Sequence, residues 1–157
     1  MTVPLAHLVE RLISEGQKSI AFFHNLSLDQ WERTIYTEGS SWTVRQVLAH
    51  FVSAEKGFYG LIENILAGGA GTADDFDLDV YNERKVASLM DVSASDLMDQ
   101  FSEARQRTVE LVTEMEQDDL DKKGRHPFLG VTTLADIVKL IYRHNQIHLR
   151  EVRKVLF

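Results

Sequence analysis

Four segments of this chain place apolar residues in alternating steps of three and four. A chain with four such stripes buries them most simply against one another, as packed helices. The first stripe is Leu5, Val9, Leu12, Gly16, Ile20, Phe23 and the second is Val47, His50/Phe51, Ala54, Phe58, Leu61, Ile65. The third is Leu97, Phe101, Ala104, Thr108, Leu111, Met115, and the fourth is Leu134, Ile137, Ile141, His144, His148, Val152, Val155. Only two prolines occur in 157 residues, which leaves long helices uninterrupted. No strand-like alternation competes, and no internal repeat is read. The expected fold is all-α, one four-helix bundle domain over residues 1–157.

Local signals set the expected boundaries. The first helix runs from Pro4 to Asn25, with Pro4 in a first helical position. Asp29 is read as capping a turn that holds Trp31. The second helix starts near Trp42-Thr43, with Ser41 or Thr43 as N-cap, and the glycine-rich run from Ala67 to Thr72 ends it. The connection over 72–92 holds a short helix around Tyr81 to Met90. The third helix begins at Ser93 or Ser95 and reaches about Gln117. A turn-rich stretch from Asp118 to Gly130 precedes the fourth, which starts at Thr132-Thr133, where Thr133 and Asp136 have capping-box spacing. Helices of this size are about 35 Å long. A hairpin link needs only a few residues. The long connection can instead cross the bundle and set the second and third helices parallel, giving up-down-down-up order.

Two histidines sit in the last stripe where a buried seam should be apolar. His144 and His148 are one turn apart, so their rings share a face. His50 lies in the second stripe, about 10 Å inside its helix, and His148 lies about 10 Å from the end of the last. Antiparallel pairing of those helices brings them level. Three core-facing imidazoles from two helices form a candidate site for a divalent metal with an open position for water or substrate. The competing reading is a hydrogen-bonded histidine cluster in the core. Glu151 follows on the same stripe, either as a fourth ligand or acceptor for a ligating ring, or as a solvated carboxylate paired with Arg150, Arg153 or Lys154; the second is preferred.

Other features carry less. His126 is read as a surface residue in a loop that could border the site mouth, and His7 and His24 as surface residues. The glycines at 68–71 lack the Gly-Lys-Ser/Thr of a phosphate loop. The aspartates from Asp74 to Asp79 lack EF-hand spacing. Trp31 and Trp42 are read as packing anchors. With no cysteine, disulfides and thiolate ligands are excluded. A net charge of −7 without a basic stripe argues against nucleic acid and anionic membrane as partners. No apolar run approaches the ~20 residues of a membrane span. No signal peptide is read, so a cytoplasmic location is expected.

The run Trp42-Thr43-Val44-Arg45-Gln46-Val47-Leu48-Ala49-His50, with His144-x-x-x-His148, resembles the DinB-like superfamily. The resemblance in architecture covers nearly the whole chain, and the family's histidine triad maps onto His50, His144 and His148. It implies a four-helix bundle, a bound divalent ion such as Zn or Ni, and often a homodimer. It also implies kinship with transferases and isomerases that use low-molecular-weight thiols. Mycothiol-dependent members often carry a further domain, for which this chain is too short. Two functions are expected from this. One is a metal-dependent enzyme on a small-molecule substrate, a thiol S-transferase or a hydrolase. The other is a non-catalytic metal-binding protein in stress response or structure. An anionic thiol would need positive charge from Lys139, Arg143 or Arg150 at the pocket.

Overall fold

The computed structural model describes residues 3–37 and 40–157, without side chains for residues 36–40. The helices are α1 (Leu5–His24), α2 (Leu28–Trp31), α3 (Val44–Leu66), α4 (Leu78–Ser88), α5 (Ala94–Thr113) and α6 (Leu134–Leu156). A 3-10 helix spans Gln117–Asp121. Four short strands complete it: β1 (Thr34–Thr37), β2 (Ser40–Thr43), β3 (Lys123–His126) and β4 (Gly130–Thr133).

Helices α1, α3, α5 and α6 form the four-helix bundle. Their directions follow from side-chain pairs. Phe51 meets Phe101, Glu55 binds Arg105 and Tyr59 lies under Arg107, so α3 and α5 run parallel. Leu5 bonds to Gln117 and Leu12 to Arg105, so α1 opposes α5. Arg11 packs on Tyr142 and Arg153 on Phe22, so α1 and α6 run the same way. The crossover between α3 and α5 returns along the whole of α3. Its end is fixed at the first turn of that helix, where Arg45 donates to the carbonyls of Met90 and Val92 at 2.7 and 3.2 Å.

The absence of strands is corrected. β1 pairs with β2, and β3 with β4, in two antiparallel hairpins. Strands of four residues are too short to leave a visible alternation. Each hairpin delivers the chain into a histidine-bearing helix. The last strand residue is also the N-cap: Thr43 accepts from Gln46 N–H, and Thr133 from Asp136 N–H. Gln46 completes a capping box on α3. The shorter Asp136 carboxylate instead accepts from the Thr132 hydroxyl at 2.7 Å.

Other boundaries move by a few residues. Pro4 stands at the N-cap of α1 rather than inside it. Ser27, not Asp29, caps the turn holding Trp31, in a full capping box with Gln30. Asp77 caps α4, which therefore starts three residues before Tyr81. Helix α5 follows its cap Ser93 and stops at Thr113. The α1 stripe is rotated: Leu8, Leu12, Glu15, Gly16, Ser19 and Phe23 are buried, with Leu5, Val9 and Ile20 packed at its edges. Val155 is exposed.

The core has two apolar clusters. One gathers Leu8, Leu12, Ile62, Val112, Ile137 and Ile141, and the other Phe23, Trp31, Trp42, Phe51, Phe101 and Val152. Between them lies a polar belt. Arg105 makes a bidentate pair with Glu55 at 2.8 and 3.0 Å, donates to Asn145 Oδ1 at 2.5 Å and reaches the Leu12 carbonyl at 2.9 Å. One guanidinium thus ties all four bundle helices. Gly16 makes room for it, since a Cβ there would lie 3.1 Å from Arg105 Cγ. Among the described residues, no helix is long and apolar enough to cross a membrane.

Candidate metal centre

The site lies on the α3–α6 side of the polar belt. Antiparallel packing brings His50 to the level of His144 and His148, with ring centroids 4.7 and 5.0 Å from His50 and 4.5 Å between the α6 pair. One potential ligand nitrogen from each ring lies within 4.8 Å of the others. His50 Nε2 and His144 Nε2 are 2.8 Å apart. Nitrogens that close either share one proton or direct lone pairs at a common ion.

Aromatic walls orient the rings. Trp42 sits 5.0 Å from His50, and Phe51 lies 5.9 and 6.0 Å from His144 and His148. Trp31 and Trp42 are buried, as expected of packing anchors. Burial pushes the pKa of His50 down to about 3, helped by His148 beside it. Burial takes His148 to about 4, against the opposing pull of Glu151. His144 falls well below the usual histidine range, first through burial and then through its histidine neighbours and Arg105. All three are therefore neutral at pH 7, the form in which imidazole is a ligand.

The set fits a divalent ion. His50 Nδ1 and both nitrogens of His148 are buried without a hydrogen-bond partner among the described residues. An apolar core does not ordinarily retain orphaned polar atoms, because each costs about 1–3 kcal/mol. A metal ion would take up one nitrogen of each ring, one of the two orphans on His148 among them. Glu151 is not one of the clustered donors; it pairs with Lys154 at 3.2 Å, as the solvated reading has it.

The centre opens onto a cavity of about 310 Å³. His50 and His144 form part of its wall, and His148 lies behind them. The small residues Ala54 and Gly57 leave the space, Phe58 and Leu61 floor it, and α4 covers it through Leu78, Tyr81 and Asn82. None of the lining residues is Lys or Arg, so Lys139, Arg143 and Arg150 are not on its wall.

His126 is not at the surface. It is 8% exposed and lines the same cavity. The strand β3 draws it in. Arg125 N–H donates to the Ala70 carbonyl and Thr72 N–H to the Arg125 carbonyl, both at 2.8 Å. Gly71 permits this approach: its φ is +89°, and a Cβ would lie 2.4 Å from Arg125 N. The glycine run thus holds the wall of the site as well as ending α3. His7 and His24 are exposed, as read. The sequence reading missed Glu55, Arg105 and Asn145. A signal existed, since Phe101, Arg105 and Thr108 keep the same helical stepping as the apolar seam.

The depressed histidines set a pH dependence. Their folded pKa values lie below the unfolded value of about 6.5, so the unfolded chain binds more protons between about pH 6.5 and 4. Stability is full above pH 6.5 and falls as pH drops through that window. Each of His50, His126 and His148 removes up to about 1.4 kcal/mol per pH unit. Metal-free protein followed by circular dichroism should lose melting temperature steadily from pH 7 to 4.5. A flat profile would contradict the burial of these rings.

Helical architecture and a three-histidine centre beside a cavity define the class: a four-helix bundle of the kind that holds a metal among its helices. The chain belongs to the DinB superfamily, whose family pattern matches residues 11–152. It is 32% identical over 155 residues to a Bacillus cereus (strain AH820) protein named as a proposed metal-dependent hydrolase, covering 94% of this chain and 83% of that one. Among solved structures it resembles YfiT from Bacillus subtilis, described as a probable metal-dependent hydrolase with an unusual four-helix bundle topology. That match has a TM-score of 0.78 and 18% identity over 96% of this chain and 85% of YfiT. The mycothiol-dependent maleylpyruvate isomerase matches with a TM-score of 0.79 and 12% identity, over 96% of this chain and 61% of the isomerase. The colibactin self-resistance protein ClbS, solved with double-stranded DNA, matches at 0.70 and 14%, over 99% of both chains. At these identities the structural likenesses are of fold.

Proposed function

We propose that this protein is a metal-dependent hydrolase of small molecules, with His50, His144 and His148 as the ligands of one Zn or Ni ion. The observation that carries the reading is the pairing of three neutral, converging imidazoles with an adjoining cavity. Zn and Ni both suit imidazole nitrogen. A divalent ion held by three imidazoles supplies Lewis acidity to whatever shares the open side of the site. The chain's own residues do the rest. The three rings hold the ion, Trp42 and Phe51 fix their orientation, and Phe58 and Leu61 exclude bulk water.

Two observations favour hydrolysis over the alternatives. The cavity wall carries no Lys or Arg for an anionic thiol, so such a thiol would have the ion alone to offset its charge. The placement of Glu151 beside Lys154 favours an open catalytic site over a closed structural one. The resemblance to hydrolase relatives points the same way. The acidic charge supports a small-molecule substrate rather than nucleic acid. Assembly as a homodimer rests on the family resemblance.

The test is elemental analysis of protein purified without chelator or tag, together with turnover of a panel of carboxylic esters, amides and lactones, with and without added thiols. About one ion per chain and thiol-independent ester or amide cleavage are expected. A metal-free protein that refuses Zn, Ni and Mn would sink the proposal. Turnover that requires thiol would replace hydrolysis with transfer.

A further inference from the structure

His126 belongs to no ligand set, yet its ring is held from several sides on the cavity wall. Its Nδ1 accepts hydrogen bonds from the backbone N–H groups of Phe128 and Leu129 at 3.0 and 3.2 Å. An acceptor nitrogen has no proton, so the ring proton sits on Nε2. One ring face stacks on Phe58, with centroids 5.7 Å apart and planes at 16°. The strand before it is pinned at Arg125 to the backbone of Ala70 and Thr72. Burial lowers its pKa to about 4, which keeps the ring neutral in ordinary conditions.

Among the described residues no acceptor is recorded for the His126 Nε2–H, and it is not one of the sealed polar atoms of the core. The cavity it borders has no Lys, Arg, Asp or Glu on its wall, while Phe58, Phe76, Tyr81 and Phe128 supply aromatic surface. An ionised group held in that outer region would give up hydration to a wall without charged side chains, with the ion deeper in the site as its countercharge. A flat apolar body keeps its contacts there, and one oxygen on it can accept the Nε2–H.

We propose that His126 is a substrate-positioning residue, donating Nε2–H to the oxygen of a carbonyl, and that the substrate is an uncharged aromatic or similarly apolar carbonyl compound. This rests on the cavity beside the metal centre being the substrate site. It adds the class of molecule and the group that orients it.

The test reads binding rather than turnover, so its failure is separable from failure of the hydrolase reading. Zinc-loaded protein is titrated with acetophenone, with ethylbenzene, which keeps the shape but lacks the oxygen, and with 4-acetylbenzoate. Acetophenone should bind about three- to tenfold more tightly than ethylbenzene, the range of one net hydrogen bond. In His126→Asn the shorter side chain keeps an oxygen for the Phe128 and Leu129 N–H groups and loses the outer donor. That preference should vanish while metal content is kept. In His126→Gln, which restores a donor near the Nε2 position, part of it should return. Imidazole ¹⁵N spectra of the unaltered protein should place the His126 proton on Nε2, independently of any variant. A proton on Nδ1, equal or undetectable binding of the two neutral ligands, or a preference that survives His126→Asn would overturn the assignment. Tighter binding of 4-acetylbenzoate than of acetophenone would overturn the uncharged class.

Discussion

Replacing Arg105 with methionine should destabilise the protein by about 3–5 kcal/mol, because the change strands a buried Glu55 carboxylate inside the bundle. Arg105 and Glu55 are 5% and 2% exposed, so solvent cannot take over the lost partner. Asn145 Oδ1 loses its Arg105 donor in the same stroke, and the Leu12 carbonyl loses the bond it accepts beyond its own helix. Domains of this size have about 5–15 kcal/mol in all, so the loss is a large share of the total. Urea denaturation measures it. Adding Glu55→Leu should recover a large part of the loss, since removing both charges takes away the uncompensated one. A loss below about 1 kcal/mol for Arg105→Met would mean that water reaches the belt.

The second large effect is on chemistry. His144→Ala should abolish ion retention and lower turnover by at least ~10³-fold, since the Lewis-acid contribution of such an ion is worth several kcal/mol and each 1.4 kcal/mol is a decade in rate. The fold should survive, because His144 is less buried than His148 and opens onto the cavity, so its loss enlarges an existing space beside Phe51 and Phe58. His148→Ala should lose the ion as well. It should also change stability, because His148 is 1% exposed and packs against Phe51. Metal content, initial rates and melting curves on the two variants separate these effects. A His144→Ala protein that keeps its ion would remove that residue from the ligand set.

The legible parts of the molecule were those with a long period. Stripes of twenty residues announced the four bundle helices, and two histidines out of place in one stripe announced the centre. Thr43 and Ser93 were readable as caps because their hydroxyls meet a local need within three residues. His126 was misread for the opposite reason. Its burial depends on pairing between Arg125 and the glycine run more than fifty residues earlier, and no local pattern records that pairing. The hairpins were hidden by shortness. The Arg105 network was hidden by type, because charged side chains at seam positions read as the solvated edge until their partners on three other helices are seen. The α1 face shows a milder form of this: Gly16 sat correctly in the stripe, but its purpose appears only with the guanidinium against it.

The wall around the cavity has a different origin from the centre it encloses. The ligand rings stand on α3 and α6, while the outer surface comes from α4, the glycine run and the β3–β4 turn. Those outer pieces supply none of the groups of the Arg105 network. Drift in them can reshape what enters without dismantling what reacts. A bundle built this way keeps its ligand rings and its rim on separate elements, so a substitution in α4 or the β3–β4 turn can alter what enters while the three imidazoles stay in place.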